Sequence, residues 1–136
     1  MLAGSIDTNV VLRLVMGDVP EHREAALRLI SRGRFAVADV AVAEALFVLM
    51  RGYGVERGHA IDILLAFADQ PNIHVSGIAK RALFNCSLRP KLSFEDSLLL
   101  QMALDTDAGP LWTLDRKLAN QPEARLLEAE ASSDAE

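Results

Sequence analysis

Short apolar runs along the chain alternate with longer stretches in which apolar residues recur every three or four positions. The short runs predict strands and the longer stretches predict amphipathic helices. The predicted strands are residues 2–6, 35–38, 72–75 and 111–114, with a weak fifth strand at 126–127. Helices are predicted at 9–16, 40–51, 56–68, 77–88 and 116–120, with two more after Asp18 and Ser93. This alternation predicts an α/β protein, a three-layer α/β/α sandwich with a central, mostly parallel sheet of four to five strands.

Local signals predict where several helices begin. Asp18 is expected to cap the second helix, which has Pro20 in its first turn, and Asp39 is expected to cap the helix after the second strand. Ser93 is expected to cap a helix that runs to about residue 105. Ser93 and Asp96 together resemble a capping box, with Asp in the place where Glu or Gln is usual.

Four acidic residues interrupt apolar segments that are otherwise typical of a protein interior: Asp7, Glu44, Asp96 and Asp115. Burying an ionised carboxylate is costly unless it finds a cation or several hydrogen-bond donors. Asp7 and Asp115 each follow a predicted strand, and the other two lie in the early turns of helices. Ligands of parallel sheets gather at the carboxyl ends of the strands. The four acids are therefore predicted to meet at one edge and to share a divalent metal ion.

Each acid also has a simpler structural interpretation. Asp7, Asp96 and Asp115 could each serve the start of a helix, and taken singly they are better explained in that way than as ligands. Glu44 has no such role, because it shares a helix face with apolar residues, and an ion pair with Arg51 is its best alternative. A joint carboxylate cluster explains all four positions at once and is the favoured interpretation.

The ligand types indicate which metal is expected. Oxygen-only ligands select a hard cation, which predicts Mg²⁺ or Mn²⁺ rather than zinc. The three histidines fall on helix or strand positions that are expected to face outward. The single cysteine, Cys86, excludes both an internal disulfide and a cysteine zinc site.

The charge of the chain is unevenly distributed. The net charge is -5, yet residues 128–136 contain four of the 19 acids and no base, which leaves residues 1–127 close to neutral. This predicts one domain over residues 1–127 and an acidic, disordered tail over 128–136. The start has no basic region of the kind found in signal peptides, and no apolar run is long enough to cross a bilayer. A cytoplasmic protein is therefore expected.

Four short motifs occur in a particular order along the chain. They are Ile-Asp7-Thr-Asn9-Val, Val-Ala-Glu44-Ala-Leu, Ser-Phe-Glu-Asp96-Ser-Leu and Thr113-Leu-Asp115-Arg-Lys-Leu. With these motifs the chain resembles the PIN-domain ribonucleases, and among them the VapC-like toxins of type II toxin-antitoxin systems, over residues 3–127. The resemblance implies a metal-dependent endoribonuclease that hydrolyses RNA phosphodiester bonds through a metal-activated water. It also implies a homodimer that a cognate antitoxin protein inhibits.

The resemblance carries the family's acids onto the same four residues. Asp7 and Asp96 would bind a first Mg²⁺ or Mn²⁺ directly, while Glu44 and Asp115 would hold its waters or a second, weaker ion.

Other positions of the motifs differ in how well they match the family. Asn9 and Thr113 match polar residues that support the ligands. Ser97 stands where an alanine is usual, and Leu114 stands where an aromatic residue is common. Neither departure falls on a ligand position.

RNA binding requires positive charge near the acids. Four carboxylates repel RNA, so bound metal and nearby cations must offset their charge. Arg51, Arg116 and Lys117 are the candidates for RNA contacts.

Two helices are apolar over more of their circumference than contact with one sheet explains. A groove around Phe47, Leu49 and residues 61–67 is therefore the expected docking place for the antitoxin, and the remaining apolar surface predicts a dimer.

Two other functions remain open. A phosphatase that forms an aspartyl phosphate would need a second Asp two residues after the first, where this chain has Asn9. A degenerate PIN-like module would bind RNA or a protein without cutting, and the presence of all four acids argues against it.

Overall fold

The strands and helices follow one another in the order that the hydrophobic pattern predicts. The structure is a computed structural model that describes residues 1–128. Within that range the strands are Leu2–Ile6 (β1), Arg34–Val37 (β2), Ile73–Val75 (β3), Leu111–Thr113 (β4) and Ala124–Leu126 (β5). The helices are Thr8–Met16 (α1), Pro20–Ile30 (α2), Asp39–Arg51 (α3), Arg57–Ala68 (α4), Gly77–Leu88 (α5) and Phe94–Asp105 (α6). A single 3-10 turn at Leu118–Asn120 stands where a short helix was expected.

The strands pair in parallel and divide between two sheets. Strand β2 lies between β1 and β3, and β4 pairs with β5. Ile6 is level with Val37, and Val37 is level with Val75, so the carboxyl ends of the first three strands meet at one edge. The predicted α/β/α class and its parallel strands are confirmed, with three strands in one sheet and two in the other.

Each sheet has its own apolar cluster. The larger cluster includes fully buried side chains such as Leu49, Ile61 and Leu83. The smaller one consists of buried side chains from α6, β5 and the segments beside them, namely Leu92, Leu100, Leu118 and Ala124. Helix α6 packs along α5 on one side and contacts β4 on the other, so it joins the two parts of the fold.

Internal packing explains why α3 and α4 are so apolar. Ile61, Leu64 and Phe67 of α4 are buried because that helix contacts α3, α5 and β3. Leu49 of α3 is buried as well, whereas Phe47 is 58% exposed. The prediction of an open groove formed by Leu49 and the α4 side chains is therefore wrong, since neighbouring helices already cover most of this apolar surface.

Two predicted helix ends are confirmed. The Ser93 hydroxyl accepts a hydrogen bond from the Asp96 N–H at 3.1 Å and caps α6. Helix α1 ends at Met16, as the predicted helix 9–16 does, and the φ of the next residue, Gly17, is 64°, in the left-handed region that glycine adopts without a Cβ clash.

Two predicted caps are wrong, because tertiary partners take their carboxylates. The Asp18 carboxylate accepts hydrogen bonds from Arg13 at 2.6 Å and from the Tyr53 hydroxyl at 2.7 Å, and α2 begins without a side-chain cap. Asp39 is the first residue of α3 rather than its cap, and its carboxylate accepts a hydrogen bond from the Ser76 hydroxyl at 2.8 Å.

Two expectations concern the whole chain. None of the helices in residues 1–128 combines the length and apolarity needed to span a bilayer. The acidic tail expected at 128–136 lies outside the described residues apart from Glu128.

Candidate active site

Glu44 is held near Asp7 by Thr8, the first residue of α1. Asp7 directly follows β1, and its Oδ1 accepts a hydrogen bond from the Val10 N–H at 3.1 Å, which caps α1. The hydroxyl of the next residue, Thr8, donates to Glu44 Oε1 at 2.7 Å. Thr8 thus holds the Glu44 carboxylate at the start of α1, one residue after Asp7. The sequence singled out Asn9 for such a supporting role and missed Thr8.

Asp96 and Asp115 line one cavity of about 170 Å³. Asp96 is in the first turn of α6, and the Ser93 cap fixes the start of that helix. Asp115 follows β4, and its Oδ1 accepts hydrogen bonds from the N–H groups of Lys117 at 2.8 Å and Leu118 at 3.2 Å. One oxygen of Asp115 therefore shapes the turn after β4. Its second oxygen has no protein donor within residues 1–128.

The expectation that all four acids are buried is wrong. Asp7, Glu44 and Asp115 are exposed, and Asp96 is half-buried. Glu44 lies on the outer side of α3, and its partner in the described part of the chain is the Thr8 hydroxyl rather than Arg51. These carboxylates lie at the surface because they follow strand ends or occupy early helix turns, where the polypeptide leaves the sheet.

Positive side chains line the cavity of Asp96 and Asp115. Lys117 is one of them, as the sequence suggested, and Lys91 is the other. Lys91 was missed because it lies in the connection between α5 and α6, where an exposed lysine gives no local signal of a role. Gln121 and Asn120 complete the polar part of the lining.

The remaining candidate residues fall in separate places. The Thr113 hydroxyl accepts a hydrogen bond from the Asp115 N–H at 3.0 Å, so Thr113 supports the turn that carries this acid. Asn9 lines a groove of about 430 Å³ between α1 and α2. Arg116 lines a different cavity beside β5. Arg51 ends α3, about 10 Å along the helix axis from Glu44 at the usual rise of ~1.5 Å per residue.

Asp96 and Asp115 line one cavity, and Thr8 links Glu44 to the start of α1, one residue after Asp7. No group of three or more His, Cys, Asp or Glu side chains within residues 1–128 is arranged to hold a metal ion. The donor chemistry of Asp96 and Asp115 nevertheless fits Mg²⁺, which binds through one or two carboxylates and takes its other ligands from water and substrate phosphate. The assignment of Asp7 and Asp96 as the direct ligands of a first ion stays a prediction.

Helix α6, which carries Asp96, is attached to α5 by a charged contact at its far end. The Asp105 carboxylate accepts hydrogen bonds from the Gln101 amide at 2.8 Å and from Arg81 of α5. These donors, the Gln101 amide foremost, hold the pKa of Asp105 below its usual value. The ionised form of Asp105 therefore stabilises the α5–α6 contact.

A parallel α/β fold with acids after its strand ends is typical of a class of proteins that bind ligands at the carboxyl edge of the sheet. Within that class, the PIN domain family model matches residues 5–124, and the chain belongs to the PIN domain family. PIN domains are generally metal-dependent nucleases, so the chain has a nuclease-like fold. Comparisons with curated proteins and with solved structures gave no match.

Proposed function

We propose that the protein is an Mg²⁺- or Mn²⁺-dependent endoribonuclease and the toxin of a toxin-antitoxin pair. The observation that carries the proposal is the cavity in which Asp96 and Asp115, from separate elements, are accompanied by Lys91 and Lys117. Carboxylates suit a hard divalent ion, and ammonium groups suit a phosphate backbone. Membership in the PIN domain family supports the nuclease part of the proposal.

Asp96 and Asp115 would hold the ion, with Asp7 and Glu44 as a second pair of carboxylates. When bound, the ion would activate water and neutralise negative charge on the scissile phosphate. The protein supplies orientation. The N–H groups of Lys117 and Leu118 fix one oxygen of Asp115, and the Thr8 hydroxyl fixes one oxygen of Glu44.

A cleavage assay tests the nuclease proposal. Purified protein is incubated with a mixed-sequence RNA in Mn²⁺, in Mg²⁺ and after chelation. We expect cleavage in either metal, loss of cleavage on chelation, and loss of cleavage in Asp96→Asn and Asp115→Asn. Asp62→Asn is the matched control, because Asp62 is an exposed carboxylate on α4 outside the cavity.

The same assay separates the other functions. Hydrolysis of a phosphate monoester without RNA cleavage would favour the phosphatase. RNA binding without cleavage in any metal would favour an inactive binding module.

The toxin proposal includes a partner and a dimer. Phe47 is 58% exposed and lines a mostly apolar cavity of about 170 Å³ with Leu46, Met50 and Phe94, beside the charged Arg57 and Glu95. An exposed aromatic side chain beside an apolar cavity is typical of an anchoring point for a partner helix. We expect that expression of the protein arrests growth, that Asp96→Asn does not, and that light scattering gives a dimer. Normal growth with active, folded protein would contradict the toxin role.

A further inference from the structure

The lysines of this chain are few and concentrated. The sequence contains three, Lys80, Lys91 and Lys117, and two of them line the cavity that Asp96 and Asp115 share. Lys91 precedes α6 and Lys117 follows β4, so the fold brings them together from separate segments. Two lysines that line the same cavity can contact the same ligand.

The ammonium groups of both lysines are available for a ligand. Within the described part of the chain, the ion pairs include neither Lys91 nor Lys117 with Asp96 or Asp115. Both side chains are exposed. Their ammonium groups therefore keep their hydrogen-bond donors for a ligand that enters the cavity.

The segment that carries Lys91 is anchored on both sides. Arg89 donates to Gln121 Oε1 at 2.9 Å and pairs with Glu123 at 3.3 Å. On the other side, Arg57 donates to the Leu92 carbonyl oxygen at 2.5 Å. Lys91 thus projects from a fixed segment, which lowers the entropy lost when a ligand binds.

The contact with Arg89 also orients an amide in the same cavity. Because Gln121 Oε1 accepts from Arg89, the Gln121 amide nitrogen is the group left to donate to a ligand. Two ammonium groups and an amide donor make an anion-binding set. The adjacent carboxylates would repel a small free anion. The favoured ligand is therefore a phosphate that belongs to a longer polymer, or one that contacts the same cation as the carboxylates.

We infer that Lys91, Lys117 and Gln121 form a binding site for a backbone phosphate of RNA beside the Asp96 and Asp115 carboxylates. This inference rests on the proposed endoribonuclease function and adds the part of the protein that holds the substrate. Lysine contacts to phosphate are independent of base sequence. The site therefore positions the strand and does not select the base.

Salt-dependent binding tests the phosphate site without cleavage. A short fluorescent RNA is titrated in chelator onto protein that carries Asp96→Asn, and log K is plotted against log salt concentration. The slope should become shallower in both Lys91→Gln and Lys117→Gln, and by about 0.7 when both lysines are changed, since the counterions released by one phosphate contact are then lost. Gln121→Glu should weaken binding while keeping the contact with Arg89.

Lys80→Gln is the matched control, because it removes the same charge from a half-buried residue of α5 outside the cavity. Its only ion pair in residues 1–128 is an exposed one with Asp69 at 3.5 Å, which contributes little to stability. We expect its slope to match that of the parent. Equal slopes for the Lys91, Lys117 and Lys80 variants, with melting temperatures that show all of them folded, would overturn the inference.

The two proposals fail in different ways. If the unmodified protein cleaves RNA while the lysine variants bind like the Lys80 control, the phosphate site is wrong and the nuclease stands. If the lysines control binding but no metal supports cleavage, the nuclease proposal is wrong and the phosphate site stands.

Discussion

Arg57 offers a direct test of how the fold supports the candidate site. Its guanidinium is half-buried at the start of α4 and donates to two backbone carbonyl oxygens, that of Cys86 at 3.0 Å and that of Leu92 at 2.5 Å. Arg57 thereby ties α4 to the segment that carries Lys91 and leads into α6. Arg57→Met keeps most of the side-chain packing and removes both hydrogen bonds.

Losing the two hydrogen bonds of Arg57 lowers the free energy of unfolding by different amounts. The Cys86 carbonyl keeps a second donor, the Arg89 N–H at 3.4 Å, so the loss there is about 0.5 kcal/mol. The Leu92 carbonyl has no other donor in the described residues, and losing a charged donor there costs about 1.5 kcal/mol. We expect Arg57→Met to lower the free energy of unfolding by about 2 kcal/mol, out of a typical total of about 5–15 kcal/mol.

Urea unfolding measures this loss. With an m-value of about 2 kcal/mol/M, the midpoint should fall by about 1 M. Arg51→Met is the matched control, since Arg51 is exposed at the end of α3 and should change stability by less than about 0.5 kcal/mol. Indistinguishable midpoints for the two variants would refute the reasoning, and the segment with Lys91 would then be held by other contacts.

Three further predictions concern charge and association. Asp96→Asn should abolish RNA cleavage and leave the metal-free melting temperature unchanged or higher, because it relieves repulsion with the neighbouring carboxylate; a large drop would make Asp96 a structural residue. The pKa of Asp105 is lowered by its hydrogen bonds from Gln101 and Arg81, so its stabilisation is present above about pH 4 and is lost as the pH falls through the lower pKa of the folded state. The melting temperature of Asp105→Asn should therefore fall less steeply in acid than that of the unmodified protein, and parallel curves would contradict this. Phe47→Ser should convert a dimer into a monomer in light scattering if the exposed aromatic side chain lies in the interface, and an unchanged mass would place the interface elsewhere.

The helices were predicted well because their signals are local. Pro20 stands at the start of α2, Gly17 ends α1, and Ser93 caps α6, each through contacts between residues close in sequence. Hydrophobic periodicity located the strands for the same reason, and the motif order predicted membership in the PIN domain family over nearly the whole chain.

Only the tertiary structure decided which residues meet. Asp18 has the local features of a cap, yet contacts with Arg13 and Tyr53 outweigh that preference. The division of the strands into two sheets likewise depends on long-range packing that no local pattern encodes. Lys91 joins the cavity because its flanking residues bind distant partners. A lysine in a connection has no periodicity to reveal it, so its position depends on the folded chain.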